Sequence, residues 1–390
     1  MPTLLILDAN QRSALAVIRS LGQLKAVKIY AADSTTEAIG GSSRFCLKYL
    51  TCPSLSDDVQ AFMDWLKQTL VEESIDLIFP MTESSSQLLL MHNTASDPIP
   101  VPFSDYHTVM SLTHKGQLTK MAESAGVPCP PSVHYNQARD VDYSKVKNYP
   151  VVIKPCLSRI RQGNCWIDTV VQIAHNKANL EGFLSTTPWL QSQEFMLQDF
   201  IPGYGAGLFA LYNHGEPVCF FSHKRLREKP PQGGVSVLSE STPLDPILLD
   251  NAKKILSAAK WHGVAMVEFR VATDGTPYLM EVNTRFWGSL QLAIDAGVNF
   301  PELLYRITLG DTVPTLSPYK TGVRLRWLLG DLDSLYLVLK NSQYSLGEKL
   351  ACVGDFFTPH LLSTRHEVNR WNDLKPAFTE LKQYFRDLIK

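Results

Sequence analysis

Glu281, Asn283 and Arg285 alternate along the run "YLMEVNTRFWGSLQLA" (278–293), which opens like a buried strand yet carries three polar heads on one side. The segment "GVAMVEFRVATDGTPYLMEVN" before and through it reads as a hairpin. If Asp274-Gly275 forms a two-residue turn, cross-strand partners sum to one constant and Glu268 lies directly opposite Glu281. Asn283 then shares their face, while Val267, Phe269, Val271, Met280 and Val282 make the core face. Like charges opposite each other are destabilising. An all-oxygen patch of Glu268, Glu281 and Asn283 suits a hard cation, Mg²⁺ or Mn²⁺ in its place, which shares its shell with substrate phosphates. An amphipathic hairpin with a polar outer face satisfies the same pattern, and one residue more or less in the loop would turn one Glu to the opposite face. The rest of the chain must supply the phosphate contacts.

Lys154 ends the apolar strand of "PVVIKPCLSRIRQGNCWI", where an ammonium is costly unless it reaches an anion or solvent. Ser158, Arg159, Arg161 and Gly163 follow in a loop offering a hydroxyl, amides and cations to phosphate oxygens, against the plainer reading of a solvated hairpin loop. Lys115, before "SAGVPCP", reads by itself as a surface lysine. In "FMLQDFIPGYGAGLFALY", Gln198, Phe200 and Ile201 precede a Pro-Gly turn, an extended hinge that can read adenine through main-chain groups, although many strand–turn–strand units look alike. "FFSHKRLREKPPQGGVS" carries His223, Lys224, Arg225, Arg227 and Lys229 beside Pro-Pro and Gly-Gly, and reads as an anion-facing loop with glycine hinges or as an ordinary solvated one. His223 has the chemistry of a proton shuttle, though loop histidines are commonly just solvated. Arg285 can fork onto a carboxylate or phosphoryl group, or pair with one of the glutamates. Gly288 permits close backbone approach, Phe286 and Trp287 read as packing, and Arg324 and Arg326 either extend the anion site or lie on the surface.

The elements that must position these residues follow from pattern. The chain has 390 residues, 45% hydrophobic and 19% charged, and a net charge of -1, which suits a globular protein of two or three domains. That charge offers nothing to nucleic acid or an anionic membrane, and no apolar run reaches the roughly 20 residues of a membrane span. "MPTLLILDANQRSALAVIRSLG" reads as a first strand and helix, not a signal peptide. The 7 cysteines lack a C-x-x-C pair, which argues against zinc and disulfides and for a reducing, cytoplasmic setting. Strands and helices alternate over residues 1–103, the mark of an α/β, doubly wound, Rossmann-like unit, but no G-x-G-x-x-G follows the first strand. "DPIPVPFSDY" is the boundary. One helix spans "YHTVMSLTHKGQLTKMAESAG", then short strands and hairpins give an α+β region, and residues 331–390 are mostly helical.

The series "THKGQLTKMAESAGVPCP", "VVIKP", "LQDFIPG" and "VEF" followed by "EVNTRFWGS" resembles the ATP-grasp superfamily over most of residues 1–330, with the texture of carbamoyl-phosphate-synthase-like members and amino-acid ligases. "EVNTR" is similar to the corresponding run of biotin carboxylase. The resemblance implies a pre-ATP-grasp domain over 1–103, an ATP-grasp small subdomain over 104–197, a large subdomain with the metal site over 198–330, and a helical segment over 331–390. It implies that Lys115 and Lys154 contact ATP phosphates or adenine, beside Ser158 and Arg159 of the loop read above as phosphate contacts, that Gln198, Phe200 and Ile201 hold adenine, and that Glu268, Glu281 and Asn283 hold Mg²⁺. Together with Arg225 from the basic stretch, Arg285 and Lys154 make the expected catalytic set, and the resemblance implies that Arg285 contacts the acceptor carboxylate or its phosphorylated form. Where such proteins often carry a ribose-binding Glu, this chain has Tyr204-Gly205-Ala206, so the ribose contact is unassigned. A single ATP-grasp unit without a glutaminase or biotin-carrier region does not make a complete carbamoyl-phosphate synthase or carboxylase. The implied activity is ATP-dependent ligation of a small carboxylic or amino acid to an amine or thiol through an acylphosphate. Phosphorylation of carbamate or bicarbonate, or nucleotide binding without catalysis, are the alternatives. The implied partners are small-molecule carboxylate and amine substrates, and a homodimer is compatible with everything read here.

Overall fold

A computed structural model describes all residues except 164, 315–317, 358–363 and 390, and the side chain of residue 165. "GNCWID" therefore has its second residue, and the Cys165 side chain, outside the described residues.

The N-terminal unit runs β1 (Thr3–Ile6), α1 (Arg12–Leu21), β2 (Lys28–Asp33), β3 (Lys48–Thr51), α2 (Val59–Glu72), β4 (Leu77–Phe79) and α3 (Glu83–His92). Its four strands are parallel in the order β3-β2-β1-β4. The continuous apolar run of β1 has a simple cause. Leu4 and Ile6 bury against one cluster that takes in Ala14, Val17 and Ile18 of α1, and Leu5 buries against another with Phe62, Leu66 and Leu88. Helices thus cover both faces. β3 has no fully buried residue, only Tyr49 and Leu50 partly covered on opposite faces, which is why periodicity passes over it.

The expected long helix after the boundary is two helices, α4 (Tyr106–Thr113) and α5 (Lys115–Ser124). They break at His114, whose side chain caps α5 by accepting the Gln117 amide. Next come β5 (Ser132–Tyr135), β6 (Val151–Pro155), β7 (Arg159–Gln162), β8 (Cys165–Asp168), β9 (Gln172–Ala174), α6 (Lys177–Thr186) and β10 (Phe195–Asp199). A four-stranded sheet, β5-β10-β6-β9, has its own core of Val151, Ile153, Leu180, Leu184, Phe195 and Leu197 on one face. β7 and β8 form a separate ribbon.

The remainder is β11 (Gly203–Asn213), β12 (Glu216–Lys229), β13 (Val235–Ser241), α7 (Pro246–Ala258), β14 (Gly263–Ala272), β15 (Pro277–Asn283), α8 (Leu290–Ala296), α9 (Phe300–Thr308), β16 (Arg324–Arg326), α10 (Leu328–Lys340), α11 (Leu346–Phe357), β17 (Thr364–His366) and α12 (Lys375–Ile389). A seven-stranded sheet, β15-β14-β11-β12-β13-β16-β17, packs on the same core as α1, so this sheet and the N-terminal unit share one apolar interior. "NHGE" turns β11 into β12 on His214 and Gly215, both at positive φ (48° and 91°), as a two-residue turn demands.

Candidate active site

Glu268 of β14 pairs directly with Glu281 of β15. The route to that pairing differs from the one the sequence implies. Ala272 donates its amide to the Thr276 carbonyl, so the connection is Thr273-Asp274-Gly275, one residue longer than a two-residue turn. Left alone, that shift would move one glutamate to the opposite face. A bulge restores the register: Phe269 pairs with Leu279 while Glu268 pairs with Glu281, leaving Met280 as the extra residue. Met280 is accordingly only partly buried, and Leu279 takes the core position expected for it.

Asn283 ties the acids together, its Nδ2 donating to Glu268 Oε1 at 3.0 Å and Glu281 Oε1 at 3.3 Å. Arg225 Nη2 donates to Glu268 Oε2 at 3.0 Å, and Arg225 Nη1 to Glu228 at 3.0 Å. Lys115 Nζ stands 3.4 Å from Glu281 Oε2. The two carboxyls are driven apart. Burial and the charge of Glu281 push Glu268 above the ordinary range despite Arg225. Burial also raises Glu281, but Lys115, Lys154 and the Asn283 amide outweigh it and bring it below the ordinary range.

Lys115 is buried, not on the surface, and sits at the first position of α5, where the helix dipole disfavours a cation. Glu281 and Ser158 Oγ (3.1 Å) hold it there. Lys154 is 5% exposed. Its Nζ donates to the Met280 carbonyl at 2.9 Å, and burial brings its pKa down to about 8. Lys154, Met196 and Gln198 share the face of the four-stranded sheet opposite that sheet's core, and Lys154 points this face at the β14–β15 hairpin. Gln198 is buried, donating to Ser132 Oγ at 3.0 Å while its Oε1 has no partner among the described residues. Phe200 and Ile201 lie in the extended link between β10 and β11. The Ile201 carbonyl accepts from Arg270 Nε at 3.1 Å, and Arg270 sits two residues beyond Glu268 on the same face of β14. Arg159 reaches the N-terminal unit, donating to Ser84 Oγ at 3.0 Å, and pairs with Asp168 at 2.7 Å.

The basic stretch is not a loop. His223–Lys229 is the second half of β12, and its cations go to different places. Arg225 faces Glu268, Lys224 pairs with Glu240, Arg227 with Asp331 and Asp355, and Lys229 with Asp333. His223 is buried, stacked on Phe209 at 4.7 Å, with Nε2 2.8 Å from Ser289 Oγ. Burial brings its pKa down to about 3, so it stays neutral and does not shuttle protons near neutrality. Arg324 and Arg326 pair with Glu240 and Asp331 and lie apart from the glutamates.

Arg285, with Glu281, Asn283 and Gly288, lines two cavities of about 430 and 350 Å³. The smaller runs under β12 past His223 and Arg225. The larger faces the N-terminal unit at Arg12 and Ser13 of α1, Thr82 and Glu83 of α3, and Arg159. What approaches Gly288 is Arg12: a Cβ there would stand 3.3 Å from Arg12 Nη2. Arg12, Ser13, Glu83 and Arg270 escaped notice in the sequence. One signal was available for the first three, because turns after β1 and β4 fall at the carboxyl edge of a parallel sheet, where such folds bind ligands.

No curated protein matches the chain by sequence. Residues 191–330 match the family described as ATP-grasp in the biosynthetic pathway with Ter operon. Among solved structures, the chain is similar to N5-carboxyaminoimidazole synthetase from Staphylococcus aureus complexed with ADP, with TM-score 0.65 and 15% identity over 88% of this chain and 86% of that one. It is similar to an L-amino acid ligase from Bacillus licheniformis, with TM-score 0.62 and 19% identity over 79% and 74%. It is also similar to the biotin carboxylase domain dimer of Hydrogenobacter thermophilus 2-oxoglutarate carboxylase in complex with MgADP, ADP and bicarbonate, with TM-score 0.62 and 14% identity over 82% and 73%. No described helix is long and apolar enough to cross a membrane. The chain thus has the fold of these structures, and its residues 191–330 match an ATP-grasp family.

Proposed function

We propose that the chain is an ATP- and Mg²⁺-dependent ligase that joins a small carboxylic or amino acid to an amine or thiol through an acylphosphate. The observation that carries this reading is an imbalance of charge. Lys154, though buried, and Arg285 have no carboxylate within ion-pair distance among the described residues, and both face the Glu268–Glu281 patch. A buried ammonium that makes no ion pair and feels Glu281 only at longer range, in company with Lys115, is costly, so a site that keeps one is built for an anion that arrives later.

ATP would lie between the Lys154–Gln198 face and the β14–β15 hairpin, with Lys115, Lys154, Ser158 and Arg159 on its phosphates and Phe200 and Ile201 at its base. The donor set fits a hard cation: two carboxylates directly opposite, and an amide within reach of both that offers its Oδ1 once the carboxamide, whose Nδ2 donates to the acids in the free site, turns over. Bound there, Mg²⁺ (or Mn²⁺) supplies divalent charge to the phosphate oxygens and offsets the repulsion between the acids. Arg225 opposes the rise that burial and Glu281 impose on the Glu268 carboxyl. Arg285 receives the acid substrate's carboxylate and then the acylphosphate it becomes, which the amine attacks with release of phosphate. Positioning and charge neutralisation suffice, so the chain supplies no covalent nucleophile.

The test is ADP release from Mg-ATP over pairwise combinations of small acids, amino acids and amines. Release that depends on a particular amine supports ligation. Release with bicarbonate alone, the anion held in the H. thermophilus structure, would make the chain a bicarbonate-phosphorylating enzyme instead. ATP binding without release under any combination would leave a nucleotide-binding protein.

A further inference from the structure

Two helices begin at the 430 Å³ cavity, and they begin differently. The start of α3 is closed, because Thr82 accepts the Ser85 amide and Ser85 Oγ returns to Thr82 in a capping box. The start of α1 is open. Its N-cap, Gln11, makes no side-chain bond, and the first backbone bond of the helix is Leu15 to Gln11. The amides of Arg12, Ser13 and Ala14 have no acceptor among the described residues. Ser13 lines the cavity at 5% exposure, and its hydroxyl has no partner among the described residues. Ser13 is buried as a residue but its unpaired hydroxyl opens on the cavity, and with three open amides at the positive end of a helix it offers donors to an anion. Of the arginines of this cavity, Arg12 pairs with Glu367 and Arg159 with Asp168, while Arg285 has no carboxylate within ion-pair distance among the described residues.

We propose that Ser13 and the open start of α1 bind a second anionic group of the substrates, a carboxylate or phosphate, additional to the carboxylate that Arg285 receives. The proposal rests on the ligase reading and narrows its substrate class. A monocarboxylic acid paired with a simple amine has nothing to place at α1. A dicarboxylic or phosphorylated acid does, and so does an amine that carries its own carboxylate.

ADP release by the full chain with Mg-ATP is measured for matched compounds: propionate against succinate and glycerate against 3-phosphoglycerate as acids, each with methylamine against glycine as amines. The member with the extra anion is expected to show kcat/KM at least about tenfold higher, and the side on which the preference falls identifies its carrier. Ser13→Asp places a carboxylate near the start of α1, where the helix dipole favours it, so the fold should survive, as its melting temperature will show. That variant is expected to erase the preference with KM for ATP changed by less than about twofold, and Ser13→Ala to weaken the preference in part. Equal rates for matched compounds, or a preference intact in Ser13→Asp, overturn the proposal. Absence of turnover with every pair counts against the ligase reading, and saturation-transfer NMR with the same compounds then decides the site. Signal from the doubly charged members that is lost in Ser13→Asp supports it; signal unchanged by the substitution, or none, overturns it.

Discussion

Replacing Lys154 by methionine should make the ligand-free chain more stable while removing its grip on nucleotide. The magnitude follows from burial. The fall of this ammonium from 10.5 to about 8 corresponds to about 3 kcal/mol of unfavourable free energy carried by the charged form in the fold. Methionine fills similar volume without charge. It forfeits the hydrogen bond to the Met280 carbonyl, which returns about 1 kcal/mol, so the net gain at pH 7 is about 2 kcal/mol. The sign depends on pH in a defined way. The folded pKa lies below the unfolded one, so the unfolded chain binds more protons between about pH 8 and 10.5, and the wild type gains stability as pH rises through that window. The variant's advantage is therefore complete below about pH 8, shrinks above it, and reverses by about pH 10.5.

Urea unfolding in a chelator-containing buffer, followed by tryptophan fluorescence, measures this. Trp189 is buried in the core of the sheet that carries Lys154 and reports on that unit. A Lys154→Met chain less stable than wild type at pH 7, or a difference flat from pH 7 to 10.5, would refute the reasoning. The functional arm uses the same proteins. Saturating ATP at about 100 times its Kd should stabilise the wild type by about 2.7 kcal/mol and the variant by far less.

Glu281→Gln should lower Mg²⁺-supported turnover by on the order of 100-fold. Wild-type rates at low Mg²⁺ would remove Glu281 from the metal set. Because Glu281 also offsets Lys115 and Lys154, this substitution should destabilise the ligand-free chain by about 1–3 kcal/mol, measurable in the same urea experiment. Arg285→Ala should reduce kcat/KM for the acid by on the order of 100-fold while the Kd of ATP moves by less than about twofold; equal losses in both would place Arg285 on the nucleotide. Arg225→Gln removes the cation that holds Glu268 down, so the acidic limb of the Mg²⁺-dependent rate profile should move to higher pH, and an unmoved limb would separate Arg225 from Glu268.

Which parts of this site could be read in the sequence follows from the range of the forces involved. Strand alternation is local, so the shared face of Glu281 and Asn283 was legible, and so was the pairing with Glu268, although two local errors cancelled to preserve it. "ATDGT" looks like a two-residue turn and is a three-residue connection; the bulge at Met280 that compensates leaves no mark in apolar spacing, because Leu279 and Met280 are interchangeable to a pattern. Charge placement is not local. Arg225 and Arg227 stand two residues apart in the same strand, yet one meets Glu268 and the other Asp331 and Asp355, partners supplied by β14, α10 and α11. No periodicity tells them apart, and Pro-Pro and Gly-Gly beyond them made the whole strand look like a loop. Lys115 shows where local physics was available and unused. A lysine placed directly after the capping His114 opposes the helix dipole, and a cation kept against that field is held there by an acid or awaits one. The same reasoning run backwards gives the open start of α1. There the field is favourable to an anion, and the sequence "DANQRSA" offers no acidic side chain in the first turn of the helix, which leaves that end free for the anion proposed.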